Sequence, residues 1–402
     1  MQRPIYLDHH ATTPLDPRVL DAMLPYLREE FGNAASRTHA YGWRAEAAVE
    51  LAREEVAAAI GARDPREVVF TSGATESDNL ALQGVLRARG SGTVAISAIE
   101  HPAVADTARA LEREGFGARV LPVDGEGLVD PAALDAALAD GPALVSILWA
   151  NGEVGTVQPI AELASRCRER GVPFHSDAAQ AVGKLPLDVE RDGVDLLSFS
   201  AHKVYGPKGV GALYVRRARP RLRLAPLLHG GGHEFGLRSG SLPVPLVVGM
   251  GAALRIAVAE REAEAARLCD LRERLLARLS AALPGVRLNG PARARLAGNL
   301  NLSLAGVPGD ALVASCPELA LSTGSACASA RPEPSPVLVA LGLDPERVRE
   351  GFRIGLGRGT SEADVDRAAD VIAERAAKLR AERTASPRPG RAASLGSPEE
   401  TR

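Results

Sequence analysis

Between about residues 64 and 215, short apolar or β-branched runs alternate with stretches in which apolar side chains recur every three or four positions. Val68-Val-Phe, Val94-Ala-Ile, Arg119-Val-Leu, Leu144-Val-Ser-Ile-Leu, Pro173-Phe-His and Asp195-Leu-Leu-Ser-Phe read as buried strands with amphipathic helices between them. This alternation predicts an α/β architecture, a mostly parallel central sheet covered by helices on both faces. Ligands of such a sheet sit beyond the carboxyl ends of its strands, so the residues that follow each run carry the most weight. A long helical pattern from about Gly249 to Leu283 stops at Pro284-Gly285. Beyond it Asn299-Leu-Asn-Leu-Ser-Leu alternates like a strand, Leu319 to Leu321 and Phe352-Arg-Ile-Gly-Leu follow, and a last helix is expected from Ser361 to about Arg383. Thr360-Ser361, followed by Glu362 and Asp364, supplies its cap. The expected division is a large α/β domain over 15–255, a smaller α+β domain over 1–14 and 256–383, and a disordered tail over 384–402, which has no aromatic residue and many breakers. No internal repeat is found.

Charge adds little to this picture and excludes some partners. The 48 basic and 50 acidic residues nearly cancel over 402 positions, so no global field draws the chain to nucleic acid or to an anionic membrane. The first residues, Met1-Gln-Arg-Pro-Ile-Tyr-Leu-Asp, lack a basic region followed by an apolar run, and no apolar stretch is long enough for a bilayer, so the expected location is the cytoplasm. The cysteines at 167, 269, 316 and 327 lack paired C-x-x-C spacing and read as individual thiols. Only Lys184, Lys203, Lys208 and Lys378 are lysine, which leaves 44 arginines among the 48 basic residues. A guanidinium keeps its proton whereas an amine can lose one and attack a carbonyl, so only four residues can form a Schiff base.

Three segments bear chemistry. Phe70-Thr-Ser-Gly-Ala-Thr-Glu-Ser-Asp-Asn follows a strand and opens a helix, which makes either an anion site or an ordinary Ser/Thr-rich cap. Phe174-His-Ser-Asp-Ala-Ala-Gln puts Asp177 at the end of a buried strand, where its carboxylate needs a cation such as a protonated pyridine nitrogen, unless it caps the next helix. Ser198-Phe-Ser-Ala-His-Lys puts Lys203 just past the next strand, at the same edge. A lone lysine there is usually solvated; an anion site, an aspartate and a lysine on successive strand ends are not coincidental.

Tyr6-Leu-Asp-His-His-Ala-Thr-Thr-Pro, Phe31-Gly-Asn-Ala-Ala-Ser, Thr71-Ser-Gly-Ala-Thr-Glu-Ser-Asp-Asn, Glu100-His101, Ser200-Ala-His-Lys-Val-Tyr-Gly-Pro-Lys-Gly and His229-Gly-Gly-Gly-His-Glu strongly resemble the cysteine desulfurases of the NifS/IscS type, class V aminotransferases that use pyridoxal 5′-phosphate (PLP). The resemblance runs from Tyr6 to about Arg380 and implies the fold type I of PLP-dependent transferases. It implies that Lys203 joins the cofactor, that Asp177 holds the pyridine nitrogen, and that His101 stacks on the ring and assists proton transfer. By the same resemblance Ala74, Thr75, Ser200, His202 and Ser241 of a second subunit hold the phosphate, and Gln180 meets the phenolic oxygen. Arg353 and Asn151 would bind the substrate, Arg353 through the carboxylate its planar fork suits. Leu321-Ser-Thr-Gly-Ser-Ala-Cys-Ala-Ser-Ala matches the family's long-loop branch, which makes Cys327 the nucleophile that takes sulfur from L-cysteine as a persulfide and leaves alanine. A homodimer and a sulfur-acceptor protein, an iron–sulfur scaffold or a tRNA-thiolating enzyme, are the implied partners. No resident metal is implied, only a transient iron–sulfur contact at Cys327.

The resemblance breaks at Trp149-Ala-Asn-Gly-Glu-Val-Gly, because the family usually has a second asparagine where Gly152 stands. Its amide normally meets the phenolic oxygen, and one hydrogen bond contributes about 1 kcal/mol. Ser241 stands where threonine is common and keeps the hydroxyl. The expected outcome is an active enzyme whose visible absorbance has an altered pH dependence, and Gly152→Asn should shift that dependence; an unchanged titration would make position 152 irrelevant.

Overall fold

The computed structural model describes residues 3–218, 221–324 and 334–385. Cys327 and the tail beyond residue 385 therefore lie outside the described residues. The strands, in chain order, are β1 (Ile5–Tyr6), β2 (Val68–Thr71), β3 (Thr93–Ser97), β4 (Gly117–Leu121), β5 (Leu144–Ser146), β6 (Phe174–Asp177), β7 (Leu196–Ser200), β8 (Gly211–Val215), β9 (Val286–Leu288), β10 (Asn299–Leu304), β11 (Leu319–Ala320) and β12 (Gly351–Gly355).

Seven of them form one sheet in the order β2-β8-β7-β6-β5-β3-β4. The pairs of β3 with β4, β3 with β5, β5 with β6 and β6 with β7 are parallel, and β8 runs antiparallel to both β2 and β7. The sheet is thus mostly parallel, with β8 the strand that the apolar pattern did not single out. Its neighbours explain the glycine that begins it: a Cβ at Gly211 would lie 2.6 Å from the Gly73 Cα, so only glycine lets the turn after β2 pass this close. The expected strand over residues 144–148 is shorter as a ladder, yet the Ile147 and Trp149 N–H groups still donate to the carbonyls of His175 and Asp177, at 3.1 and 2.8 Å.

Buried Val56, Ile60, Phe70, Phe174, Leu197, Phe199 and Tyr214 belong to the apolar core of this sheet. A second core lies around the antiparallel sheet β12-β10-β9 and includes Leu300, Leu302, Phe352, Ile354, Val365 and Ile372. The helix Val244–Ala282 joins the two: Val247, Met250 and Leu254 enter the first core, Leu271, Leu275 and Leu279 the second. It begins five residues before the expected Gly249, with Pro245 in its first turn, where a missing N–H costs nothing. The last helix, Glu362–Ala385, starts at the expected cap: Ser361 N–H and Oγ donate to Asp364 at 2.9 and 2.7 Å, and Asp364 N–H returns a bond to Ser361 Oγ.

The glycine-rich motif ending in Glu234 is tied to the large sheet by a buried ion pair. Glu234 accepts from Arg53 at 2.8 Å on each oxygen and from the Phe70 N–H at 2.7 Å, and Arg53 also donates to the Val68 carbonyl. Both side chains are nearly inaccessible, so truncating either would leave a buried unpaired charge. In the smaller core, Leu302 is fully buried on the central strand of its sheet. Leu302→Ala is expected to destabilise the protein by about 2–5 kcal/mol, measured as a lower unfolding midpoint in denaturant.

Candidate functional site

The site assembles where the strand ends predict it. β6 closes on Asp177, which is paired in register with Ser198 of the parallel β7, and β7 closes on Ser200. A single 3-10 turn, Ala201–Lys203, then carries Lys203 over the edge. His101 follows β3, the segment Asn151-Gly152 follows β5, and Ala74 opens the helix that follows β2. Ala74, Thr75, His101, Asn151, Asp177, Gln180, Ser200, His202, Lys203 and Arg353 all border one cleft. Ser241 is exposed and does not reach the cleft of its own chain.

The turn at Lys203 is held by the N-terminal segment. Lys203 Nζ donates to the carbonyls of His10 and Ala11, each at 2.7 Å. Thr13 donates to the His202 carbonyl from both its N–H and its hydroxyl, and accepts the Tyr205 N–H at 2.7 Å. That last bond restrains Tyr205 at a φ of 64°, a left-handed position that a bulky residue occupies only when its surroundings hold it. Tyr6-Leu-Asp-His-His-Ala-Thr-Thr-Pro is therefore part of the site, since its backbone carbonyls receive the lysine.

Asp177 is buried, and burial pushes its carboxyl above the usual range, opposed by the charge of His101, the Ala179 N–H at 2.8 Å and the charge of Lys203. Its nearest acidic neighbours share this penalty. Asp78, fully desolvated and close to Asp177, is raised well above the ordinary value, and burial lifts Glu100 to about 8. A positive group placed against Asp177 would relieve the whole cluster. The cap reading of Asp177 is present as well, in the bond to Ala179, and does not exclude the other.

His101 begins the helix Pro102–Arg113 and accepts the Ala103 N–H on Nδ1 at 3.1 Å, so in its neutral form the proton sits on Nε2. Burial, then the charges of Lys203, Lys208 and Lys184, pull His202 down to about 4, and it remains neutral. The helix Ala74–Arg89 has Gly73 at its cap and no side chain bonded to its free N–H groups. Thr71 Oγ1 bonds Gly73 O and Ser77 instead of capping, which removes the ordinary-cap reading and leaves the helix start open to an anion. Ser200 Oγ is buried there without a partner.

These features fit pyridoxal phosphate: an uncapped helix start and an orphaned hydroxyl for the phosphate, a desolvated carboxylate for a protonated ring nitrogen, and a lysine on the same edge. Toward the substrate the geometry differs from expectation. Arg353, on β12, donates to Asp8 Oδ1 at 2.7 Å and to the Gly152 carbonyl at 3.1 Å, while its Nε is buried without a partner. Asn151 uses Oδ1 to accept the N–H groups of Glu153 and Val154 and Nδ2 to donate to the Ile99 carbonyl, so it builds the loop and keeps one N–H for anything else. At Gly152 a Cβ would lie 2.7 Å from Gln180 Nε2, so the glutamine amide occupies the space an asparagine there would enter.

Sequence reasoning missed Asp8, which fixes Arg353, and Lys184, whose Nζ donates to Gln180 Oε1 at 2.9 Å. Scarcity of lysine was the available signal for Lys184, together with its place four residues after Gln180. Of the other thiols, Cys167 is buried and pushed up to about 12, and burial raises Cys316, which keeps both as inert thiols.

A family model described as Aminotransferase class-V matches residues 5–368. The cysteine desulfurase of Drosophila melanogaster described as mitochondrial is 54% identical over 370 residues, 92% of this chain and 80% of that protein. A protein named Cysteine desulfurase IscS from Anaeromyxobacter dehalogenans is 53% identical over 377 residues, 93% of each. Among solved structures, a NifS-like protein is similar with a TM-score of 0.86 and 36% identity, covering 92% of this chain and 98% of that one. SspA in complex with cysteine is similar with a TM-score of 0.78 and 37% identity, covering 88% and 98%. A lysine and an aspartate on neighbouring strand ends are what the resemblance required, and with identity above one half over nine-tenths of the length the chain belongs to the class-V aminotransferase family as a PLP-dependent cysteine desulfurase.

Proposed function

We propose that Lys203 joins the cofactor, Asp177 carries its ring nitrogen, and Cys327 receives the sulfur of L-cysteine. The observation that carries this reading is the pairing of Lys203 and Asp177 on one strand edge, bordering one cleft, with the charge of Lys203 acting on Asp177. Bound PLP supplies a sink for the negative charge that develops at the substrate α-carbon. Ala74 and Thr75 would offer backbone N–H groups to its phosphate, joined by Ser200, His202 and Ser241 of a partner copy. His101 lies against the ring with its Nε2 proton available, and Gln180 faces the phenolic oxygen.

The residues divide the work by position. Arg353, fixed by Asp8, binds the substrate carboxylate with its unused N–H groups, beside the remaining N–H of Asn151. The Lys203 amine, once the substrate amine takes its place, accepts the α-proton at a carbonyl-lined point of the edge. The Cys327 thiolate attacks the cysteine sulfur; an S–S bond forms, the carbon–sulfur bond breaks, and alanine leaves with a persulfide on the enzyme.

The division at 15–255 and at 1–14 with 256–383 belongs to the same proposal, supported by the two separate apolar cores. So do a homodimer, which an exposed Ser241 requires, and an acceptor protein for iron–sulfur assembly or tRNA thiolation. No helix among the described residues is long and apolar enough to cross a membrane, and the cytoplasm is the proposed location.

Incubation with cysteine and PLP, with alanine quantified and the added sulfur located by peptide mass, tests substrate, reaction and nucleophile together. Alanine should appear with one extra sulfur on the peptide holding Cys327. Cys327→Ser should stop alanine release, and undiminished release would remove the persulfide step. Lys203→Ala should abolish the covalent attachment of the cofactor, read as loss of the visible band that survives dialysis.

A further inference from the structure

Lys184 and His10 meet at one amide. Gln180 Oε1 accepts from Lys184 Nζ at 2.9 Å and faces His10 Nδ1 at 3.3 Å, and Gln180 Nε2 donates to the His10 carbonyl at 2.9 Å. Because an ammonium has donors only, the atom it meets must be the amide oxygen, which fixes the amide's orientation. The same assignment makes His10 Nδ1 a donor and leaves His10 Nε2 as an acceptor, buried without a partner. The end of Gln180 turned toward Gly152 is then Nε2, the atom that a Cβ at 152 would meet at 2.7 Å. A flipped amide would present an acceptor at this place instead of a donor.

We propose that Lys184 is a positioning residue: its bond to Gln180 Oε1 holds the amide so that its donor end faces the cleft at Gly152, where this chain lacks the asparagine usual in its family. This rests on the reading that Gln180 faces the phenolic oxygen of the cofactor. The bond needs a donor at 184 in every charge state, and a neutral amine still has one. Lys184 lies among charges from each surrounding element. Lys203 after β7 and Arg353 on β12 oppose its protonation, and Glu264 of the long helix favours it. His9 and His10 of the N-terminal segment are held neutral by burial, and Arg261 and Arg358 border the small cavity beside it. Desolvation and the two cations bring the Lys184 amine to about 7. Its removal therefore does not threaten the fold.

Two effects of Lys184 must be separated, its charge and its hold on Gln180. A nearby cation and a donor to the ring oxygen both disfavour adding a proton to the cofactor, so loss of either raises the pH midpoint of its visible absorbance. The experiment titrates the cofactor-loaded full chain with Lys184→Met and Lys184→Arg, each in the parent and in a Gln180→Ala background, with melting temperatures recorded. Lys184→Met is expected to raise the midpoint by about half a pH unit or more, and Lys184→Arg to leave it near the parent value. With Gln180→Ala present, Lys184→Met should add less than half of that shift. An equal shift in both backgrounds assigns the effect to charge alone and overturns the proposal, as does no shift in either. Should Lys184→Met fail to fold, Lys184→Gln, neutral but able to donate, is read in its place and should stay near the parent. A parent enzyme without a visible band overturns the functional reading itself; a band that Lys184→Met leaves unmoved overturns only the role of Lys184.

Discussion

A carboxylate removed from water at the end of a parallel strand is the constraint around which the rest of the molecule is arranged. Asp177 has a backbone N–H and two nearby positive side chains to set against its burial, and still its carboxyl is raised, with Asp78 and Glu100 desolvated behind it. Such a cluster is costly on its own and is relieved by a cationic ring seated in front of it. The sheet supplies the rigidity this needs. Because β3, β5, β6 and β7 run in parallel, His101, Gly152, Asp177 and Lys203 emerge at a common edge without any long loop to place them.

The second organising element is the N-terminal segment. Its carbonyls at His10 and Ala11 receive Lys203, its Asp8 fixes Arg353 of the small sheet, and Asp8 bridges to Gly355 of β12. Fewer than ten residues thus connect the lysine on the large sheet to the arginine on the small one. The separation between cofactor end and substrate end of the cleft is set by this short strap as well as by the long helix that shares both cores. Backbone carbonyls suit this role because they accept from an amine without adding a charge that would hold it permanently protonated.

Polar residues around the cleft act in two layers. Some meet the ligands directly, while Asp8, Lys184 and Asn151 turn other groups toward them by hydrogen bonds. Departures from a family pattern are absorbed in this outer layer. At Gly152 the missing side chain is answered by Gln180, whose amide stands in the vacated space.

Local order was strongly legible in the amino-acid sequence. The strand runs, the stop at Pro284-Gly285, the Ser361 cap and the strand-end positions of Asp177 and Lys203 all depend on near neighbours, and near neighbours are what a sequence displays. It also named the chemistry, because one lysine and one aspartate at successive strand ends, with an open helix start, suit few cofactors. Tertiary structure alone decided the antiparallel insertion of β8 between β2 and β7, the reach of Asp8 across to Arg353, and the orientation of the Gln180 amide by Lys184. Those depend on contacts between distant segments or on which end of a symmetric-looking group faces a cation, and no periodicity along the chain encodes either.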